Sequence, residues 1–114
     1  MRYPSNLDFL EAFGLDAVEI DESRVCRYYS KSSDDGALRL DFSFSEIEHS
    51  FQVALYHRDV AVMQVVSENL RSMALRLGEL DRSIHVAFGL EGAMSEATIT
   101  LEPAIRCHWW TLRR

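Results

Sequence analysis

Cysteine, proline and glycine are all scarce in this chain, and each shortage removes a class of protein. The two cysteines, Cys26 and Cys107, lie far apart and outside any paired-cysteine motif. That spacing argues against a disulfide framework and against a cysteine-built zinc site. With no export signal, both are expected to be buried, reduced thiols in the cytoplasm. Two prolines and five glycines among 114 residues leave no linker and no low-complexity tract. No glycine-rich phosphate loop, no elbow around a nucleophilic serine and no His-Glu-x-x-His zinc helix occurs. Asp8 and Glu11 interrupt the one early apolar run that could serve as a signal peptide. No run approaches the ~20 apolar residues that cross a bilayer.

What remains is the composition of one ordinary globular domain, residues 1–114, at 47% hydrophobic and 26% charged. The net charge of −6 is unevenly spread. Residues 1–50 hold eleven acidic and five basic side chains, whereas residues 51–114 hold seven of each. An acidic surface repels nucleic-acid phosphates and anionic lipid, so neither is an expected partner, and a basic protein is favoured. The bland counterpart is an acidic surface that only keeps the domain soluble.

The pattern along the chain is strand-like except at its start. Ser5 can cap a short helix, with Asp8 three residues on in its first turn, an apolar side of Leu7, Phe9, Leu10 and Phe13, and Gly14 as its stop. Residues 16–22 alternate Val18 and Ile20 with acids, a short strand or extended edge. Residues 24–31 and 37–43 flank a polar loop ending in Asp35-Gly36, a hairpin signal. In the second arm Leu38, Leu40, Phe42 and Phe44 alternate with Arg39, Asp41, Ser43 and Ser45, so one face must be wet. Residues 51–66 read as a hairpin turning at His57-Arg58-Asp59, expected in the middle of the sheet.

Residues 67–78 fit two patterns. Leu70, Met73, Ala74 and Leu77 suit a helix; Met73, Leu75 and Leu77 suit a strand, which the neighbouring strands favour. Ile84, Val86 and Phe88 form one buried face, Ala97, Ile99 and Leu101 another, and Pro103 interrupts pairing before a last strand over 105–112. The expected fold is α+β and mostly β. A short N-terminal helix precedes an antiparallel meander, as a curved sheet, half-barrel or sandwich, with a short helix near 67–78 as the alternative.

Candidate chemistry is thin. His57, His85, Cys107 and His108 do not have zinc-ligand spacing, and Cys107 and His108, being consecutive on a strand, face opposite sides. Neither a metal nor a cofactor is expected. Carboxylates in turn-like segments keep ordinary acidity and make poor proton shuttles at neutral pH, so catalysis is not expected either. Trp109 and Trp110 must point to opposite faces, one as a core anchor and the other as a contact with Arg106 and His108 or as a cover for the sheet edge. Tyr28 and Tyr29 pose the same choice. The acidic residues Asp16, Glu19, Asp21 and Glu22, with Asp34, Asp35, Glu46 and Glu48, are the candidate partner-binding surface.

The helix SNLDFLEAFG, the meander that follows and the ending ITLEP…HWWTL together resemble the immunity proteins of bacterial contact-dependent growth inhibition. The resemblance spans the chain as an overall plan and transfers no residue roles. It implies a non-catalytic cytoplasmic inhibitor that binds one cognate toxin domain, often a nuclease, and blocks its active site or substrate groove. The competing expectations are a ligand-binding or enzymatic domain with a pocket lined by Tyr28, Tyr56, His85 or Trp110, and an oligomerisation module using an open sheet edge.

Overall fold

A computed structural model describes residues 3–23 and 26–113, leaving the side chains of Glu19 and Asp21 outside the description. Among the described residues the one helix, α1 (Asn6–Phe13), begins where the sequence places the cap. Ser5 Oγ accepts from the Asp8 amide at 3.1 Å, and the Asp8 carboxylate accepts from the Ser5 amide at 2.8 Å. The reciprocal pair satisfies two donors that an uncapped helix start leaves open. Gly14 ends the helix at φ +68, a left-handed conformation that costs glycine little. The buried face is Phe9, Ala12 and Phe13, while Leu7 and Leu10 are exposed. The expected apolar side was therefore half right, because neighbouring strands meet only the Phe9–Phe13 side.

Nine strands follow among the described residues: β1 (Glu19–Asp21), β2 (Cys26–Ser32), β3 (Leu38–Ser45), β4 (Ser50–His57), β5 (Val60–Ser67), β6 (Leu70–Leu77), β7 (Arg82–Leu90), β8 (Ala93–Glu102) and β9 (Arg106–Arg113). Arg24 and Val25, expected at the start of the first hairpin, lie outside the described residues. The strands form two antiparallel sheets in sequence order, β1-β2-β3-β4-β5 and β6-β7-β8-β9. The chain is thus a meander folded once, between β5 and β6, into an open sandwich. Residues 70–77 pair with β7 as a strand, which removes the alternative helix near 67–78.

Inward residues of the first sheet are Tyr29, Leu40, Phe42, Phe44, Phe51 and Val53; those of the second are Met73, Ile84, Val86, Phe88, Ala97 and Ile99. They meet in one core, with Phe51 and Phe88 ring centroids 6.2 Å apart across the layers. Phe9 enters the same core, its centroid 4.4 Å from Tyr29 and 5.8 Å from both Phe42 and Phe44. Rings at these separations gain packing beyond their buried area.

Two local expectations are corrected. The 51–66 hairpin lies at a sheet edge, because β5 is the outermost strand of its sheet. Val60, Val62 and Val66 are correspondingly more than half exposed. The outer face of β3 is not uniformly wet, since Ser43 and Ser45 are buried. Cys26 and Cys107 are both free; Cys26 is buried and Cys107 only partly so.

Candidate functional site

The six candidate carboxylates whose side chains are described do not form one patch. Cys26 pairs with Ser45 and Ser32 with Arg39, so the turns after β1 and β3 share one end of the first sheet and the turns after β2 and β4 share the other. Glu22, Glu46 and Glu48 stand at the first end, with the backbone of Asp21, while Asp34 and Asp35 stand at the second. A seven-residue strand separates them by roughly 20 Å. Asp16 lies in the connection from α1 to β1, close enough to Tyr29 to influence its phenol. That pKa is raised chiefly by burial, against the lowering effect of Arg27, with Asp16 and Glu46 adding to the rise.

Two of the six also do structural work. Glu46 Oε1 lies 3.9 Å from the Arg27 guanidinium, a group buried beneath the N-terminal segment. Asp35 builds its own loop: its Oδ1 accepts from Ser33 Oγ at 2.7 Å and from the Ala37 amide at 3.0 Å. The Ser33 bond, and then the amide, hold the Asp35 carboxyl below its ordinary pKa.

Between the two acidic ends, the outer face of the first sheet is concave. Its residues are fixed by register: Tyr28 pairs with Ser43 and Ser43 with Gln52; Ser30 pairs with Asp41 and Asp41 with Ala54; Arg39 pairs with Tyr56. Small side chains, Ser43 and Ala54, sit between larger ones, and Tyr28 and Tyr56 occupy diagonal corners. The result is a groove of about 460 Å³. Arg39 lies over the Tyr56 ring at 4.3 Å and is 3.4 Å from Asp41 and 3.2 Å from Asp59. Ser30 Oγ donates to Asp41 at 2.6 Å. Two carboxylates therefore flank one guanidinium. Sequence reasoning assigned neither Arg39, Asp41 nor Asp59 to a site; only the alternation in β3 hinted that Arg39 and Asp41 share a face.

The pocket residues of the competing expectation are split. Tyr28 and Tyr56 border this groove, whereas His85 and Trp110 lie on the outer face of the second sheet, their ring centroids 6.2 Å apart. Trp110 also meets His108 at 5.0 Å. Of the tryptophan pair it is Trp109 that turns inward, stacking on Phe88 at 5.2 Å and donating from Nε1 to Ser95 Oγ at 2.7 Å. Tyr29 is likewise the inward member of its pair. A second groove, about 390 Å³, runs between α1 and β6 past Asp8, Glu11, Met73 and Leu77. Among the described residues no group of three His, Cys, Asp or Glu side chains is arranged to hold a metal ion. Among the described residues no helix is long and apolar enough to cross a membrane.

No protein-family model and no curated protein sequence matches the chain. Among solved structures, it is similar to a chain in the "Contact-dependent growth inhibition toxin - immunity protein complex from Klebsiella pneumoniae 342". The TM-score is 0.88 at 18% sequence identity, covering 96% of this chain and 95% of the other. Two chains superposing over nearly their whole lengths share a fold, and the fold of this protein is one found in a contact-dependent growth inhibition toxin–immunity complex.

Proposed function

We propose that this chain is the immunity member of a toxin–immunity pair, a cytoplasmic single-domain protein without catalysis of its own. It binds a cognate toxin domain and neutralises it. The observation that carries this reading is the end-to-end fold likeness to a chain of such a complex. The charge distribution supports the finer part. The whole net charge of −6 resides in residues 1–50, which build α1, the first three strands and the acidic turns. Carboxylates presented this way speed association with a basic cleft and compete with a polyanionic substrate, so the toxin is a nuclease.

Co-expression tests the reading directly. The toxin domain encoded beside this chain should arrest growth alone, and this chain should abolish the arrest and purify with it as a stable complex. Growth arrest by this chain expressed alone would make it the toxin instead. Charge reversal of Asp16, Glu19, Asp21 and Glu22 together should weaken the complex and flatten its salt dependence. Unchanged affinity and salt slope would remove those four residues from the contact.

A further inference from the structure

The groove on the outer face of the first sheet is bounded by negative charge along the strand direction. Glu22, Glu46 and Glu48 stand beyond one end of β2–β4, where Glu46 pairs with Arg27, and Asp34, Asp35 and Asp59 beyond the other, with Arg58 as the cation in that turn. Asp41 within it, and Asp59 from the turn at its second end, flank the guanidinium of Arg39. The floor is small, since Ser43 is 8% and Ala54 5% exposed, and side chains larger than theirs rise around it. Tyrosine and arginine dominate binding hot spots when they border a pocket from which water is excluded.

We propose that this groove receives one extended basic segment of the toxin, about six to eight residues long to match the strands. The inference rests on the immunity reading above. An apolar or aromatic side chain of that segment covers Ser43 and Ala54 between the two tyrosines. Lysine or arginine side chains before and after it reach the carboxylates at the two ends. A second copy of this chain is the poorer occupant, because it would bring the same net charge of −6 against these carboxylates.

The test fills the groove without touching the core. Ala54→Trp and Ser43→Trp each add a bulky side chain on the outer face, and Thr98→Trp does the same on the outer face of the second sheet as a control. Thermal unfolding and binding to the toxin domain encoded beside this chain are measured for all three. Ala54→Trp and Ser43→Trp should weaken binding by about 100-fold, mainly through faster dissociation, while Thr98→Trp binds as the parent does. Should the tryptophan variants misfold, the surface pair Tyr28→Ala with Tyr56→Ala decides, with a loss of about tenfold or more expected. Parental affinity in the folded groove variants would overturn the proposal, leaving the immunity reading intact. Loss of a concentration-dependent dimer in Ala54→Trp, with toxin binding kept, would overturn it in favour of a second copy. A parent chain that does not bind the toxin at all would sink the immunity reading itself.

Discussion

Arg27 and Phe44 are directly opposed on β2 and β3, and the guanidinium carbon lies 4.5 Å from the centre of the ring. Arg27 is only 8% exposed. It donates to the Pro4 carbonyl at 2.6 Å and to Asn6 Oδ1 at 3.2 Å, so one inward-facing cation ties the segment before α1 to the first sheet. Its Nε is buried without a hydrogen-bond partner among the described residues, so the site is already not fully satisfied. Arg27→Ala should destabilise the fold by about 2–4 kcal/mol, from lost packing and from an orphaned Pro4 carbonyl. Arg27→Met, which keeps the stem's contact with Phe44, should lose less. Urea unfolding of the two variants checks the order.

Phe9 and Leu7 sit two positions apart on α1 with opposite fates. Phe9 is fully buried among Tyr29, Phe42 and Phe44, whereas Leu7 is 60% exposed. Truncating a buried phenylalanine costs about 3–5 kcal/mol through lost transfer energy and the cavity left behind. Phe9→Ala should fall in that range, and Leu7→Ala should change stability by no more than about 0.5 kcal/mol. Equal effects would mean that α1 does not pack as described.

Arg58 and Asp59 turn the β4–β5 hairpin with φ +49 and +67. Both residues occupy the left-handed region, the geometry in which Asn-Gly is favoured over most pairs. Replacing Arg58-Asp59 with Asn-Gly should stabilise the protein by roughly 0.5–1 kcal/mol, because relief of the two strained backbones outweighs the exposed Asp59–Arg39 pair. A lower melting temperature in the double variant would show that this ion pair matters more than the backbone.

His85 gives a pH dependence. Burial first, and the charge of Arg76 second, lower its pKa from the ordinary 6.5, with Glu96 opposing. The neutral imidazole is thus favoured by folding. Its contribution is complete above pH 6.5 and is lost as the pH falls below that value, because the unfolded chain takes up the proton first. Stability should therefore drop between pH 7.5 and 5 more steeply in the parent than in His85→Gln. Identical slopes for the two proteins would show that His85 is not linked to folding.

How far the sequence could carry this reading depended on which patterns were unambiguous. Ser5, Asp8 and Gly14 specify α1 by local chemistry alone, and the alternation of Leu38, Leu40, Phe42 and Phe44 needs no tertiary information to be a half-buried strand. Residues 70–77 were different, since Leu70, Met73, Ala74 and Leu77 satisfy helical spacing while Met73, Leu75 and Leu77 satisfy strand spacing. Pairing with β7, a contact outside the segment itself, decided between them. The separation of Asp34 and Asp35 from Glu46 and Glu48 was also hidden, because it follows from which turns share a sheet end. Nothing in the linear pattern marks Arg27 as buried or Ser43 and Ala54 as a groove floor; those properties belong to neighbours across strands.

Among the described residues every hydrogen-bonded strand pair joins consecutive strands. Each hairpin can therefore zip from its own turn, with only a short stretch of chain to close, and no rung waits for a distant partner. The step that must close the longest stretch of chain is the packing of one half-molecule onto the other, where Phe51 meets Phe88 and the Ala12 carbonyl accepts from Arg82 seventy positions away. Folding speed should accordingly respond most to substitutions at that seam, and comparatively little to those within either ladder.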